Sequence, residues 1–326
     1  MVQDTSNLNN LIKKSRTTIK QISIKSYLTS LRSLYKRLNP EDDLKTELKT
    51  DFLKDKVKVM EDINKQKINT KKNILTSILV ALSSNTQKDE KLIDFYQLKL
   101  KELNEKYISF LEKQEKTETQ EKNWIDYNTF IKVINELLNT VKNEDIQKKD
   151  KLTRAEYVLL QKYVILSFYQ VYPLRNDVAD MKVISQKEYD SLKDKKNNYF
   201  VKDDKNYKIV LNAFKNVSRI GSKVFVLPLK LVKIVKLWLK HNTSGYLFTL
   251  NNGRDPLTPN GITKLLNSIF KKACDGKKIS TSMLRHINIS QKLKNEPTIQ
   301  EKKTEEKKTE DVYMHSASMN QLYRKI

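Results

Sequence analysis

The chain contains a single cysteine, Cys274, which excludes an internal disulfide framework and any cysteine-based zinc module. No apolar run approaches the roughly eighteen residues that a membrane-spanning helix needs, and the first residues lack the apolar core of a signal peptide. The expectation is a soluble, intracellular protein with no membrane partner. Arginine is scarce too, at nine against 54 lysines. Lys, Asn and Ile are abundant, as an AT-rich genome produces, so an arginine in this background marks a place where lysine does not serve. Its guanidinium offers a planar fork of donors that grips a phosphate at two points, whereas lysine acts as a point charge. Acids, finally, are missing from residues 5–40, where eight basic residues stand: Lys13, Lys14, Arg16, Lys20, Lys25, Arg32, Lys36 and Arg37.

What is plentiful is positive charge. A formal net charge of +24 exceeds what solubility requires and points to a polyanionic partner, with nucleic acid ahead of an acidic membrane surface. At 326 residues, 38% of them hydrophobic, the chain has material for two domains with their own cores.

Hydrophobic periodicity divides it. Ile24, Tyr27, Leu28, Leu31, Leu34, Tyr35 and Leu38 recur at helical spacing and predict an amphipathic helix with a basic outer face. Further helical patterns cover 45–65, 70–82 and 90–113, so residues 1–117 read as a helical domain. The run "KQEKTETQEKN" at 113–123 has no apolar residue and is the expected linker. The second domain, 118–326, opens with helices at 126–142 and 153–171. In the latter, Thr153 and Glu156 have capping-box spacing and "YVLLQKYVILSFYQ" is apolar on nearly all sides, as in a buried helix. Strand-like pieces follow at 178–184, 207–211 and 223–228, the last two joined by a turn around "NVSRIG". Helices resume at 229–241, at 259–272 behind Thr258 and Pro259, and at "STS" 280–282. The repeated "EKKTEEKKTE" at 301–310 reads as a solvated, charge-balanced insertion.

Four positions in the second domain stand out. Arg175 follows the core helix in "PLRNDVADM", Lys215 lies between strand-like pieces in "NAFKNVSRIGSKVFVLP", Arg285 and His286 sit in "SMLRHINIS", and His315 precedes Tyr323 in "MHSASMNQLY". Each alone has an ordinary reading: a helix-capping arginine, a turn lysine, a surface arginine, a core tyrosine. In this order they resemble the catalytic domain of the tyrosine recombinase (phage integrase) family, whose pattern is an arginine after a buried helix, a hairpin lysine, a His-x-x-Arg-His box and a terminal tyrosine. "LRNDVADMKVI" and "LRHINIS" are similar to integrases of virophages and large DNA viruses of protists. The N-terminal helices resemble that family's core-binding domain in length and basic character. Two departures stand out: the histidine of His-x-x-Arg is Ser282 here, and the charged insertion at 301–310 lengthens the approach to His315.

The resemblance implies a mainly α fold with a small β-sheet, an α+β catalytic domain preceded by a helical DNA-binding domain. It implies a site-specific recombinase or integrase that cleaves and rejoins double-stranded DNA through a 3′-phosphotyrosine. No cofactor and no metal are implied; a homotetramer on two duplexes is. Location at DNA follows, in a host nucleus or a cytoplasmic viral factory. The catalytic set would be Arg175, Lys215, Arg285, His315 and Tyr323, with Ser282 and His286 in support and the eight N-terminal basic residues on DNA. A phenol with pKa about 10 leaves phosphorus more readily than a sugar alkoxide, so tyrosine stores the bond for resealing without a cofactor. Arginine forks meet charge on the non-bridging oxygens, with His315 adding a hydrogen bond, and a lysine supplies the leaving oxygen's proton. Ser282 does not titrate near neutral pH, so it is read either as a phosphate contact or as a helix-start cap. The alternatives are a type IB topoisomerase-like enzyme and a DNA-binding protein that has lost catalysis.

Overall fold

The computed structural model describes residues 6–42, 48–112, 115–203 and 206–294. The chain divides into two compact units, Met1–Lys113 and Gln114–Ile326. It is mainly helical with one small sheet, as expected.

The first unit holds α1 (Ser6–Ser15), α2 (Gln21–Leu38), α3 (Lys56–Asn64), α4 (Ile68–Ser84) and α5 (Glu90–Glu112). On α2 the residues Ile24, Leu28, Leu31, Leu34 and Leu38 fall on one face and are buried, which leaves its charges on the other. The helix α4 packs against both α2 and α5 and buries Ile74, Leu75, Ile78, Ala81 and Leu82. Tyr96 on α5 is fully enclosed; its hydroxyl donates to the Leu53 carbonyl at 2.7 Å, and burial raises its pKa. The helix expected over 45–65 is shorter: among the described residues it comprises a 3-10 turn, Asp51–Lys54, and then α3, whose first turn is capped by Asp55 accepting from the Lys58 amide.

The second unit begins inside the expected linker. Thr117 and Gln120 form a reciprocal capping box there and start α6 (Glu118–Asn123). Two local hydrogen bonds thus override a composition that reads as loop. Next come α7 (Tyr127–Asn143) and α8 (Arg154–Val171), the latter opened by the Thr153–Glu156 box, with the Thr153 amide 2.8 Å from Glu156 Oε2. Everything from Leu160 to Tyr169 on α8 except Lys162 is buried, including the polar Gln161. That amide is satisfied. It donates to the Thr249 carbonyl at 3.0 Å and accepts from the Thr249 amide at 2.8 Å, and so locks α8 to the 246–257 loop.

The sheet has strand order β1–β2–β3–β4: β1 (Lys182–Ser185), β2 (Tyr199–Lys202), β3 (Tyr207–Leu211) and β4 (Lys223–Val226). A short helix, α9 (Gln186–Ser191), lies between β1 and β2, which run parallel. The other two pairs are antiparallel, with Lys208 opposite Val226 and Leu211 opposite Lys223. One expected strand piece, 178–184, is displaced: a 3-10 turn occupies Asn176–Val178 and the strand begins only at Lys182. A further strand, β2, was not expected at all. The β3–β4 connection carries a single helical turn, α10 (Val217–Ile220), closed by Gly221 at φ 72°, a left-handed value that glycine adopts without steric cost.

Three more helices follow among the described residues: α11 (Leu229–His241), α12 (Pro259–Ala273) and α13 (Thr281–Lys294). Thr258 caps α12 by accepting from the Gly261 amide, with Pro259 in the first turn, as the sequence predicts. Trp238 on α11 is fully buried and donates its indole N–H to the Leu247 carbonyl at 2.7 Å.

Candidate active site

The end of α8 sets the position of Arg175. Tyr172 and Pro173 stop the helix, and the Tyr172 hydroxyl donates to the Val226 carbonyl of β4 at 2.7 Å. Arg175 follows in extended conformation at the start of the 3-10 turn. It is half-buried, and its Nη1 is enclosed without an acceptor among the described residues.

Arg285 reaches the same neighbourhood from the second turn of α13. At 3% exposure it is almost fully buried, which arginine tolerates only beside compensating charge. The first turn of α13 is capped by Ser280, whose hydroxyl accepts from the Met283 amide at 3.3 Å. Ser282 is exposed and does not fill that role, so the capping reading passes to Ser280. His286, adjacent to Arg285, is half-buried and has an interaction of its own.

The two arginines share a counter-ion that the sequence did not single out. Asp177, two residues after Arg175, feels both Arg175 and Arg285. Burial raises its carboxyl pKa, the arginines oppose that rise, and the exposed Asp180 adds to it. Tyr169, fully buried on α8, lies in the same field: burial and Asp177 push its phenol up, and Arg285 pulls it down. Asp177 Oδ2 and Arg175 Nη1 are both enclosed without a hydrogen-bond partner among the described residues, so the arginines act on this carboxyl through the field and not through a contact.

Lys215 is exposed, in the turn between β3 and α10. Its loop is tied to the Arg175 turn by one amide. Asn198 donates to the Asp177 carbonyl at 2.9 Å and to the Ala213 carbonyl at 2.8 Å, and it accepts from the Asn212 and Ala213 amides at 2.9 and 2.7 Å. Asn176 fastens the other side, donating to the Pro259 carbonyl at 2.7 Å. Between these elements is a cleft of about 470 Å³ lined by Asn176, Asp177, Asn198 and Ala213 among others. The sequence signal for Asp177 was its place in "LRND"; Asn198 had none, because its role depends on β2.

His315 and Tyr323 lie outside the described residues, as does the 301–310 repeat. His241 is half-buried at the end of α11, with Nε2 enclosed and its pKa lowered by burial. In the first unit Lys13, Lys14, Arg16, Lys20, Lys25 and Lys36 are exposed and Arg32 is half-buried. Arg37 differs from them. Its fork is engaged by Asp62, with Nε 2.9 Å from Oδ1 and Nη2 2.7 Å from Oδ2, which pins α2 to α3. None of the described helices is long and apolar enough to cross a membrane.

No family model matches the chain, and no curated protein does. Among solved structures it is similar to a XerA recombinase, at 13% identity over 99% of this chain and 93% of that one, with a TM-score of 0.40. So loose a likeness leaves the function to be read from the residues.

Proposed function

We propose that this chain is a tyrosine-type DNA recombinase that cuts and rejoins duplex DNA. In this reading the Tyr323 phenol loses its proton to water or to His315, its oxygen attacks a backbone phosphorus, a phosphotyrosine bond forms on the 3′ side, and the bond to the 5′ oxygen breaks. Lys215 gives its proton to that departing oxygen. Arg175 and Arg285 hold the non-bridging oxygens, with His315 adding a hydrogen bond. Resealing by a DNA hydroxyl reverses the steps and returns the tyrosine.

The observation that carries the reading is that the enclosed Nη1 of Arg175 finds no acceptor among the described residues, while the buried Arg285, from a separate element, lies within electrostatic reach of the same Asp177. A guanidinium donor enclosed without an acceptor is costly unless a ligand completes it, and a phosphate does so. The Asn198 bridge adds support, because it holds the Lys215 loop and the Arg175 turn in one framework. The first unit would grip the duplex through its exposed lysines, and four protomers on two duplexes would carry out exchange, at DNA inside the cell.

The test is a nicked suicide substrate, followed by mass mapping of the residue left attached to DNA. Tyr323 is the expected attachment point, and Tyr323→Phe should bind DNA and form no adduct. Adducts persisting in that variant would sink the assignment. Relaxation of supercoils without strand transfer would identify a topoisomerase instead, and binding without any adduct a protein that has lost catalysis.

A further inference from the structure

A groove of about 870 Å³ runs between α3, α4 and α5 in the first unit. Met60, Leu75, Phe95 and Leu103 give it an apolar floor, and Val57, 70% exposed, stands at its lip. A nucleic-acid backbone gains nothing on such a floor, since hydrocarbon leaves its polar atoms unsatisfied. The rim has a different character. Lys56, Lys71, Lys99 and Lys106 border the groove against two acids, Glu61 and Glu102. Lys99 holds Glu102 at 3.0 Å, and Lys56 lies over the Phe95 ring, 4.9 Å from its centroid. An apolar trough with a net positive rim matches one shape of ligand: a helix with an apolar stripe and carboxylates on its flanks. The length fits as well. The nine residues of α3, at a rise of 1.5 Å, extend about 13 Å, which spans anchors at i, i+3 or i+4, and i+7 of a docked helix.

We infer that this groove docks an acidic amphipathic helix of a partner protein. The inference stands apart from the strand-cleavage reading and survives its failure. The apolar stripe of the partner covers Phe95 and Leu103, and its carboxylates meet the four lysines.

The experiment uses the full chain and a labelled synthetic helix with Leu along one face and Glu on both flanks, followed by fluorescence anisotropy. Wild type should bind it at least about tenfold more tightly than a scrambled peptide of the same composition, because anchors and charges then no longer segregate. Val57→Glu, at an exposed position that leaves the fold intact, should weaken binding about tenfold with an unchanged melting temperature, and Lys71→Glu with Lys106→Glu should do the same. Equal affinity for the scrambled peptide overturns the proposal, since charge alone would explain binding to so basic a chain. So does unchanged affinity in Val57→Glu. Two further outcomes also overturn it by naming another occupant: self-association of wild type abolished by Val57→Glu, which assigns the groove to a second copy, or loss of duplex DNA affinity in that variant.

Discussion

Asp177 is a largely enclosed acid in the field of two arginines. Burial raises its pKa despite two arginines nearby, so for this acid the charged form is disfavoured in the folded state. The sign of its contribution follows: stability from this group falls as pH climbs from the unfolded value of 3.8 through the raised folded one, and the cost persists at neutral pH. Asp177→Asn should therefore unfold at the same temperature as wild type or higher, measured by calorimetry at pH 7. The same change removes the buried negative charge nearest Arg175 and Arg285, and if that charge orients them, misplacing such groups by about 1 Å costs on the order of 10²-fold in rate. A variant that is as stable as wild type but slow on the suicide substrate would identify the carboxylate as a positioning residue; undiminished cleavage would leave it structural. Arg285→Lys tests the fork itself. It keeps the charge and loses the two-point grip, and it should cut cleavage by about 10²-fold with little change in DNA affinity.

Elements differ in how openly the sequence announces them. The helix α8 is declared by its own residues, since Thr153 and Glu156 close the capping box and the following run has no polar side wide enough to face water. Bounds of α11 and α12 were equally legible, from Pro228, Thr258 and Pro259. The strand β2 was not. Its four residues follow a lysine-rich stretch, and they are strand because β1 and β3 pair with them on both sides, a partnership that no local pattern encodes. The burial of Arg285 is of the same kind: "SMLRHINIS" shows a basic residue on a helix, and only the packing of α13 places that charge inside. The sequence thus pointed to Arg175, Lys215 and Arg285 and was silent on Asp177, the acid near both arginines, and on Asn198, which ties the Lys215 loop to the Arg175 turn. The α8 box also predicts an acid response. Lys149 first, and then the Thr153 amide, hold the Glu156 carboxyl down to about 2. Its stabilising share is complete above the ordinary value of 4.5 and is lost as pH falls through about 2. Glu156→Gln keeps the cap and should flatten acid unfolding in that range, whereas Thr153→Ala should cost about 1 kcal/mol at any pH. Denaturant titrations at several pH values separate the two.

For the whole molecule the governing quantity is the charge of +24. If about six to ten phosphates are contacted, log K against log salt should slope at roughly −5 to −9. Changing Lys13, Lys14, Lys20 or Lys25 to Gln should each reduce the magnitude by about one. Arg37→Gln should leave the slope alone and lower stability, because its partner is Asp62; a slope that drops equally for Arg37 would mean the pair opens on DNA. The segment at the boundary adds one more consequence. Asn123 accepts from the Lys278 amide at 2.7 Å, and the Trp124 carbonyl accepts from the Lys277 ammonium, so α6 belongs firmly to the second unit. The junction between the two units therefore falls in the few residues between Glu112 and Thr117. If both units grip the duplex as proposed, a connection this short presents each to the DNA bound by the other at an effective concentration in the millimolar range. One clip of the backbone there would remove no side chain and no charge, yet it would turn a bivalent ligand into two monovalent ones, and avidity for DNA should collapse while each half keeps its fold.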